Sequence, residues 1–75
     1  MEEKHIRQKA ERGYIQTAIA REESDGFALE FKEDNGQRHQ LTLQRGNIRI
    51  FATLGAAANT VRKIGLKNFF VIFKP

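Results

Sequence analysis

The sequence predicts an α+β fold: an antiparallel sheet built on a β-meander, one helix packed on the sheet, a C-terminal strand returning into it, and a weak N-terminal helix. Three observations predict it. Residues 27–44 alternate apolar and polar side chains around an Asn35-Gly36 dipeptide, residues 54–64 repeat apolar side chains at helical spacing, and residues 69–73 are consecutive large apolar residues. A period of two marks half-buried strands; a period near 3.6 marks an amphipathic helix.

Residues 2–12 are rich in Glu, Lys, Arg and Gln, good helix formers, but only Ile6 and Ala10 form an i,i+4 apolar pair. A weakly formed or mobile helix is expected over residues 1–12, stopped by Gly13. "YIQTAIAR" then predicts a strand with Ile15, Thr17 and Ile19 on one face, and "ESDG" breaks it with turn residues. "FALEFK" places Phe27, Leu29 and Phe31 inward and Ala28, Glu30 and Lys32 outward. Asn35-Gly36 tolerates the positive φ of a tight hairpin turn, and "RHQLTLQ" continues with His39, Leu41 and Leu43 opposite Arg38, Gln40, Thr42 and Gln44.

After the turn "RGN", "IRIFA" predicts the third strand of the meander, with Ile48 and Ile50 facing one way and Arg49 and Phe51 the other. Thr53 is placed to cap a helix whose inner side is Leu54, Ala57, Ala58, Val61 and Ile64. Gly65 ends it, and Leu66 packs back on Val61 as a Schellman ending prefers. The terminal run puts Phe69, Val71 and Phe73 in one row and Phe70 with Ile72 in the other. A strand apolar on both faces is usually central or covered twice. The second row therefore calls for the N-terminal segment, a second subunit or a ligand.

Seventy-five residues make a single small domain, 1–75, of a size that buries only about 60% of its unfolded surface. Without cysteine it has no disulfide or thiolate site. No apolar run approaches the roughly 20 residues that span a bilayer, and no apolar stretch follows the charged N-terminus as in a secretory signal. The expectation is a cytoplasmic protein without a membrane partner. Its net charge of +4 is uneven: residues 1–20 carry +1, residues 21–38 carry −3, and residues 39–75 carry six basic groups and no acidic one. An acid-free basic half favours an anionic partner unless the acidic middle segment neutralises it in the fold.

No nucleophile, base and acid come together in the sequence, so a non-enzymatic role is expected, with no catalytic residue and no cofactor. Ser24 beside Asp25 fits turn formation better than chemistry. His39 fits a half-buried strand position and His5 lacks a partner, so no metal site is expected. The helix start "TLGAAANT" lacks the glycines and lysine of a phosphate loop.

The face opposite the helix is the candidate site. There Lys32, Arg38, Arg49, Phe51 and Phe70 are expected to converge, with Gln40, Thr42 and Ile72. Arg45, Arg62 and Lys63 supply further cations. Aromatic rings on a sheet stack bases and arginines hold phosphates, so DNA or RNA is a candidate partner. The alternative is a homodimer or protein-adaptor surface built on the exposed aromatics of the last strand.

The run "LTLQRGNIRIFATLGAAANTVRKIGLKNFFVIF" resembles small proteins encoded on bacterial plasmids and other mobile elements, some labelled partition-associated. The resemblance covers residues 41–73 and rests on Arg49, Phe51, Leu54, Ala56 to Ala58, Arg62, Gly65 and the aromatic terminal strand. It implies a bacterial, cytoplasmic accessory factor in plasmid maintenance and assigns no binding residue; a plasmid-encoded protein stands beside nucleic acid and a second copy of the chain as a candidate partner.

Overall fold

In a computed structural model covering residues 1–75, the chain forms two helices and a five-stranded mixed sheet. The hairpin of β1 (Ile15–Glu23) and β2 (Gly26–Glu33) is its centre, paired antiparallel from Glu23 opposite Gly26 to Ile15 opposite Glu33. A register shift between Ile15 and Thr17 turns Ile15 into the core while Thr17 and Ile19 stay on the opposite face. The inward row of β1 is therefore Ile15, Ala18 and Ala20, and the predicted single face of Ile15, Thr17 and Ile19 is split by the register shift. Small side chains there let a helix approach the sheet closely.

Inward-facing Leu29 and Phe31 of β2 are fully buried, as the alternation predicts. β3 (Arg38–Gln40) pairs antiparallel with β2 through Glu30 and Gln40, and Leu41 adds one bond to the carbonyl of Leu29. β4 (Ile50–Phe51) then pairs with the same edge of β2, Ala28 opposite Ile50 and Phe27 opposite Phe51. It does not extend the meander beyond β3. Leu29 and Ala28 are adjacent, yet their partners are Leu41 and Ile50, so residues 42–49 bud out of one edge strand. The bud is a small hairpin, Thr42 bridged to Ile48 and Leu43 bonded to Asn47. Consequently Leu43 and Ile48 are exposed, not inward.

Helix α2 (Leu54–Ile64) starts at Thr53, whose Oγ1 accepts from the amide of Ala56 at 3.1 Å. It ends at Gly65, φ 107°, where the amide of Leu66 returns to the carbonyl of Val61. Both caps follow the expected pattern. Ala57, Thr60, Val61 and Ile64 are its buried side. Helix α1 (Glu3–Glu11) lies on the same side of the sheet, with Ile6 fully buried in the one core cluster that includes Ala57, Val61 and Ile64. Each large aliphatic side chain among them contributes roughly 1.5–3 kcal/mol by leaving water. The N-terminal helix is thus part of the core layer and does not cover the far face.

β5 (Phe70–Ile72) runs parallel to β1, with Phe70 beside Ile19 and Ile72 beside Arg21. It is an edge strand; the sheet order is β3-β2-β1-β5, with β4 beside β2. Phe69 and half-buried Val71 lie on the helix side, whereas Phe70 and Phe73 are each 65% exposed and Ile72 43%. The last strand therefore has a bare row, Phe70 and Ile72, and a helix-side row that is covered at Phe69 and Val71 but not at Phe73, and it is not central. No helix is long and apolar enough to cross a membrane.

Candidate binding face

Because both helices pack on one side, the other side of the sheet is open. Strand pairing fixes what it presents. One cross-strand row is Gln40, Glu30, Ile19 and Phe70; the next is Ile50, Ala28, Arg21 and Ile72; Arg38, Lys32 and Thr17 form a third. The half built on β1 and β5 is apolar, with Ile19, Phe70 and Ile72 side by side. The half built on β2 and β3 is polar. Ala28 is buried even on this open side, between its register neighbours Arg21 and Ile50.

The charged groups of the face are organised around one carboxylate. Glu30 Oε1 lies 3.3 Å from Arg38 Nη1 and 3.6 Å from Arg21 Nη2. Two guanidiniums thus share one negative charge, and Lys32 beside them has no carboxylate within ion-pairing distance. Glu23 sits at the rim, where β1 turns into β2. The net charge of the face is positive.

Of the residues expected here, Lys32, Arg38 and Phe70 do share the face. Phe51 does not: it is 6% exposed and belongs to the core. β4 pairs with β2 and not with β3, so Ile50 takes the outward position opposite Ala28 and Phe51 the inward one opposite Phe27. Arg49 follows Phe51 to the helix side, where its guanidinium stacks 4.6 Å over the Phe51 ring and donates to Glu3 at 2.9 Å. Arg45 stands at the tip of the bud. Arg62 and Lys63 occupy the last turn of α2, in the opposite layer. Arg21, Ile19 and Ile50 join the face unannounced by the sequence; the bulge and the bud that place them carry no periodic signal.

Two other polar clusters lie on the helix side. Glu33, almost wholly buried, receives a hydrogen bond from Nε2 of His39 and an ion pair from Lys9 Nζ at 3.3 Å. The His39 hydrogen bond holds its carboxyl below the usual carboxylate range, against the opposing effect of burial. His39 thus clamps β3 to the end of β2, and Lys9 ties α1 to both. Glu3 is the second centre. Burial alone would raise its pKa, but hydrogen bonds from Arg7 at 2.6 Å and Arg49 at 2.9 Å lower it overall. These side chains line an open depression of about 290 Å³ between α1 and the bud. Its arginines are already engaged by Glu3. No group of three or more His, Asp or Glu side chains converges to hold a metal ion.

No protein-family model, curated protein or solved structure matches this chain.

Proposed function

We propose that the protein is a non-enzymatic, cytoplasmic accessory factor of a plasmid or other mobile element, and that it binds single-stranded nucleic acid across the open sheet face. One observation carries the reading: the Phe70 side chain, 65% exposed, stands on an uncovered sheet beside a cluster in which Arg21, Lys32 and Arg38 outnumber Glu30. An aromatic ring on a sheet offers a stacking surface to any base, and neighbouring cations follow the phosphates. The acid-free half of the chain and the sequence pI of about 9.9 support an anionic partner. The mobile-element setting comes from the resemblance over residues 41–73.

The test is a fluorescence-anisotropy titration at low salt with short single-stranded DNA, single-stranded RNA and duplex DNA. Single strands are expected to bind and the duplex to bind less well. Phe70→Ser is expected to weaken binding about 5- to 150-fold, the equivalent of ~1–3 kcal/mol of lost stacking. Lys32→Ala is expected to shallow the salt slope by about 0.7, the share of one phosphate contact on a single strand.

A protein-adaptor reading is favoured by a different observation, the exposed apolar atoms of Ile50 and Ile72 on the same face. If no probe binds at low salt, the nucleic-acid reading fails and the adaptor reading takes its place.

A further inference from the structure

The two edges of the sheet are not alike. At the β3 edge the chain closes itself: the Met1 nitrogen donates to the carbonyl of Gln40, the amide of Thr42 donates to the carbonyl of Met1, and the bud occupies the space beyond. At the other edge β5 pairs with β1 and with nothing else. Natural sheets protect such an edge by keeping the strand very short, or with a bulge, a proline or an inward-pointing charge. β5 is short, three residues, but the run from Phe69 to Phe73 contains no bulge, proline or charge, and three of its side chains, Phe70, Ile72 and Phe73, are exposed.

We infer that this edge is the site at which a second copy of the chain pairs, antiparallel, with the two-fold axis at Val71. The segment Phe-Phe-Val-Ile-Phe is self-complementary in that register. Phe69 faces Phe73 of the second copy, Phe70 faces Ile72, and Val71 faces itself. Every apolar side chain meets an apolar one, on both sides of the sheet, which is the requirement of an isologous interface. Phe73, bare in the single chain, gains half-buried Phe69 as a neighbour on the helix side.

Facing and charge select the register. With the axis at Val71, Lys74 faces Asn68 of the second copy; a slip by one residue in either direction turns the helix layers to opposite sides, and in one direction also sets Lys74 against Lys67. The paired strands are short, three residues of β5 from each copy, so the contact is small. The dimer is therefore expected to be weak and to dissociate on dilution. Joined at β5, two open faces become one continuous surface with both Phe70 side chains near its centre. The pairing rests on the free edge and not on any partner of the face.

Sedimentation velocity over a concentration series, without nucleic acid, tests the inference. The wild-type chain is expected to pass from one to two chains per particle as concentration rises. Phe70→Lys alone and Ile72→Glu alone are each expected to weaken association at least about tenfold, with circular dichroism unchanged because both positions are exposed. Combining Phe70→Lys with Ile72→Glu sets opposite charges across the axis twice and is expected to restore it. A wild-type chain that stays monomeric throughout, single variants that associate like wild type, or a combination that recovers nothing would each overturn the proposal. Since the solution holds no oligonucleotide, none of these results bears on whether the face binds nucleic acid.

Discussion

Gly26 tolerates replacement least. It opens β2 with φ 147°, and a Cβ there would lie inside the contact distance of the Phe51 carbonyl oxygen and against Ile50. The clash is with backbone, so β4 would have to leave β2. Gly65 needs its positive φ to end α2 but has open space around it. Gly55 sits in the first turn of α2, where an alanine methyl would lie 3.9 Å from Thr53 Oγ1, an ordinary contact. Chemical denaturation is expected to rank the alanine variants accordingly. Gly26→Ala loses more than about 2 kcal/mol, Gly65→Ala loses about 1 kcal/mol, and Gly55→Ala loses nothing or gains a few tenths. Equal losses at Gly55 and Gly65 would contradict the cap at Gly65.

Glu33 makes a prediction in pH. Its folded-state pKa lies below the ordinary value of about 4.5 because His39, and then Lys9, bind the ionised form. The stabilisation is complete above that ordinary value and is lost as pH falls through the lower folded one. Glu33→Gln is expected to destabilise the protein at neutral pH and to flatten the acid limb of its stability curve. Thermal melts from neutral to acid pH check this; an unchanged acid limb would show that the clamp on β3 contributes nothing.

At the scale of elements, the bud at residues 42–49 is an insertion into one edge strand, because Leu41 and Ile50 pair with neighbouring residues of β2. Joining Leu41 directly to Ile50 keeps every inward residue inward: His39, Leu41 and Phe51 remain opposite Phe31, Leu29 and Phe27. The deletion is expected to fold, with the circular dichroism of the parent and a lower melting temperature, since the stacking of Arg49 on Phe51 and its bond to Glu3 go with it. An unfolded chain would mean that the bud holds the edge together.

The same insertion explains what the sequence concealed. Alternation in residues 27–41 reads directly as strands because nothing interrupts it, and Thr53 and Gly65 mark α2 because each satisfies helix-end groups that have no other partner. Lys32 and Arg38 were legible on the open face for that reason, and Phe70 because a run apolar on both faces leaves one row beyond the reach of the helix. Phe51 and Arg49 were not, because β4 returns to pair with β2 where a meander would carry it past β3, and side-chain identity does not encode that choice. Ile15 and Ile19 look alike in sequence yet part company at the β1 irregularity. α1 looked weak because one buried isoleucine carries its packing; its hold on the fold comes from Glu3, Lys9 and the strand-like pairing of Met1 and Glu2.

At the scale of the whole molecule, the sheet is covered once. Two short helices and their isoleucines, valines and alanines suffice for one side, and a chain of this length has no third helix for the other. The acidic segment does not neutralise the basic half: its Glu30 holds Arg21 and Arg38 of the same segment, Arg49 turns to Glu3, and Arg45, Arg62, Lys63 and Lys67 have no carboxylate within ion-pairing distance. Two surfaces therefore compete for an anion, the open face and the end of α2. The sheet face adds a stacking ring, and the helix end offers cations without one. The most direct measurement is an amide NMR titration of the protein with single-stranded oligonucleotide. If the open face binds the strand, shifts are expected at Ile19, Arg21, Lys32, Phe70 and Ile72, with Arg62 and Lys63 unmoved. Shifts confined to Arg62, Lys63 and Lys67, with Phe70 silent, would contradict it.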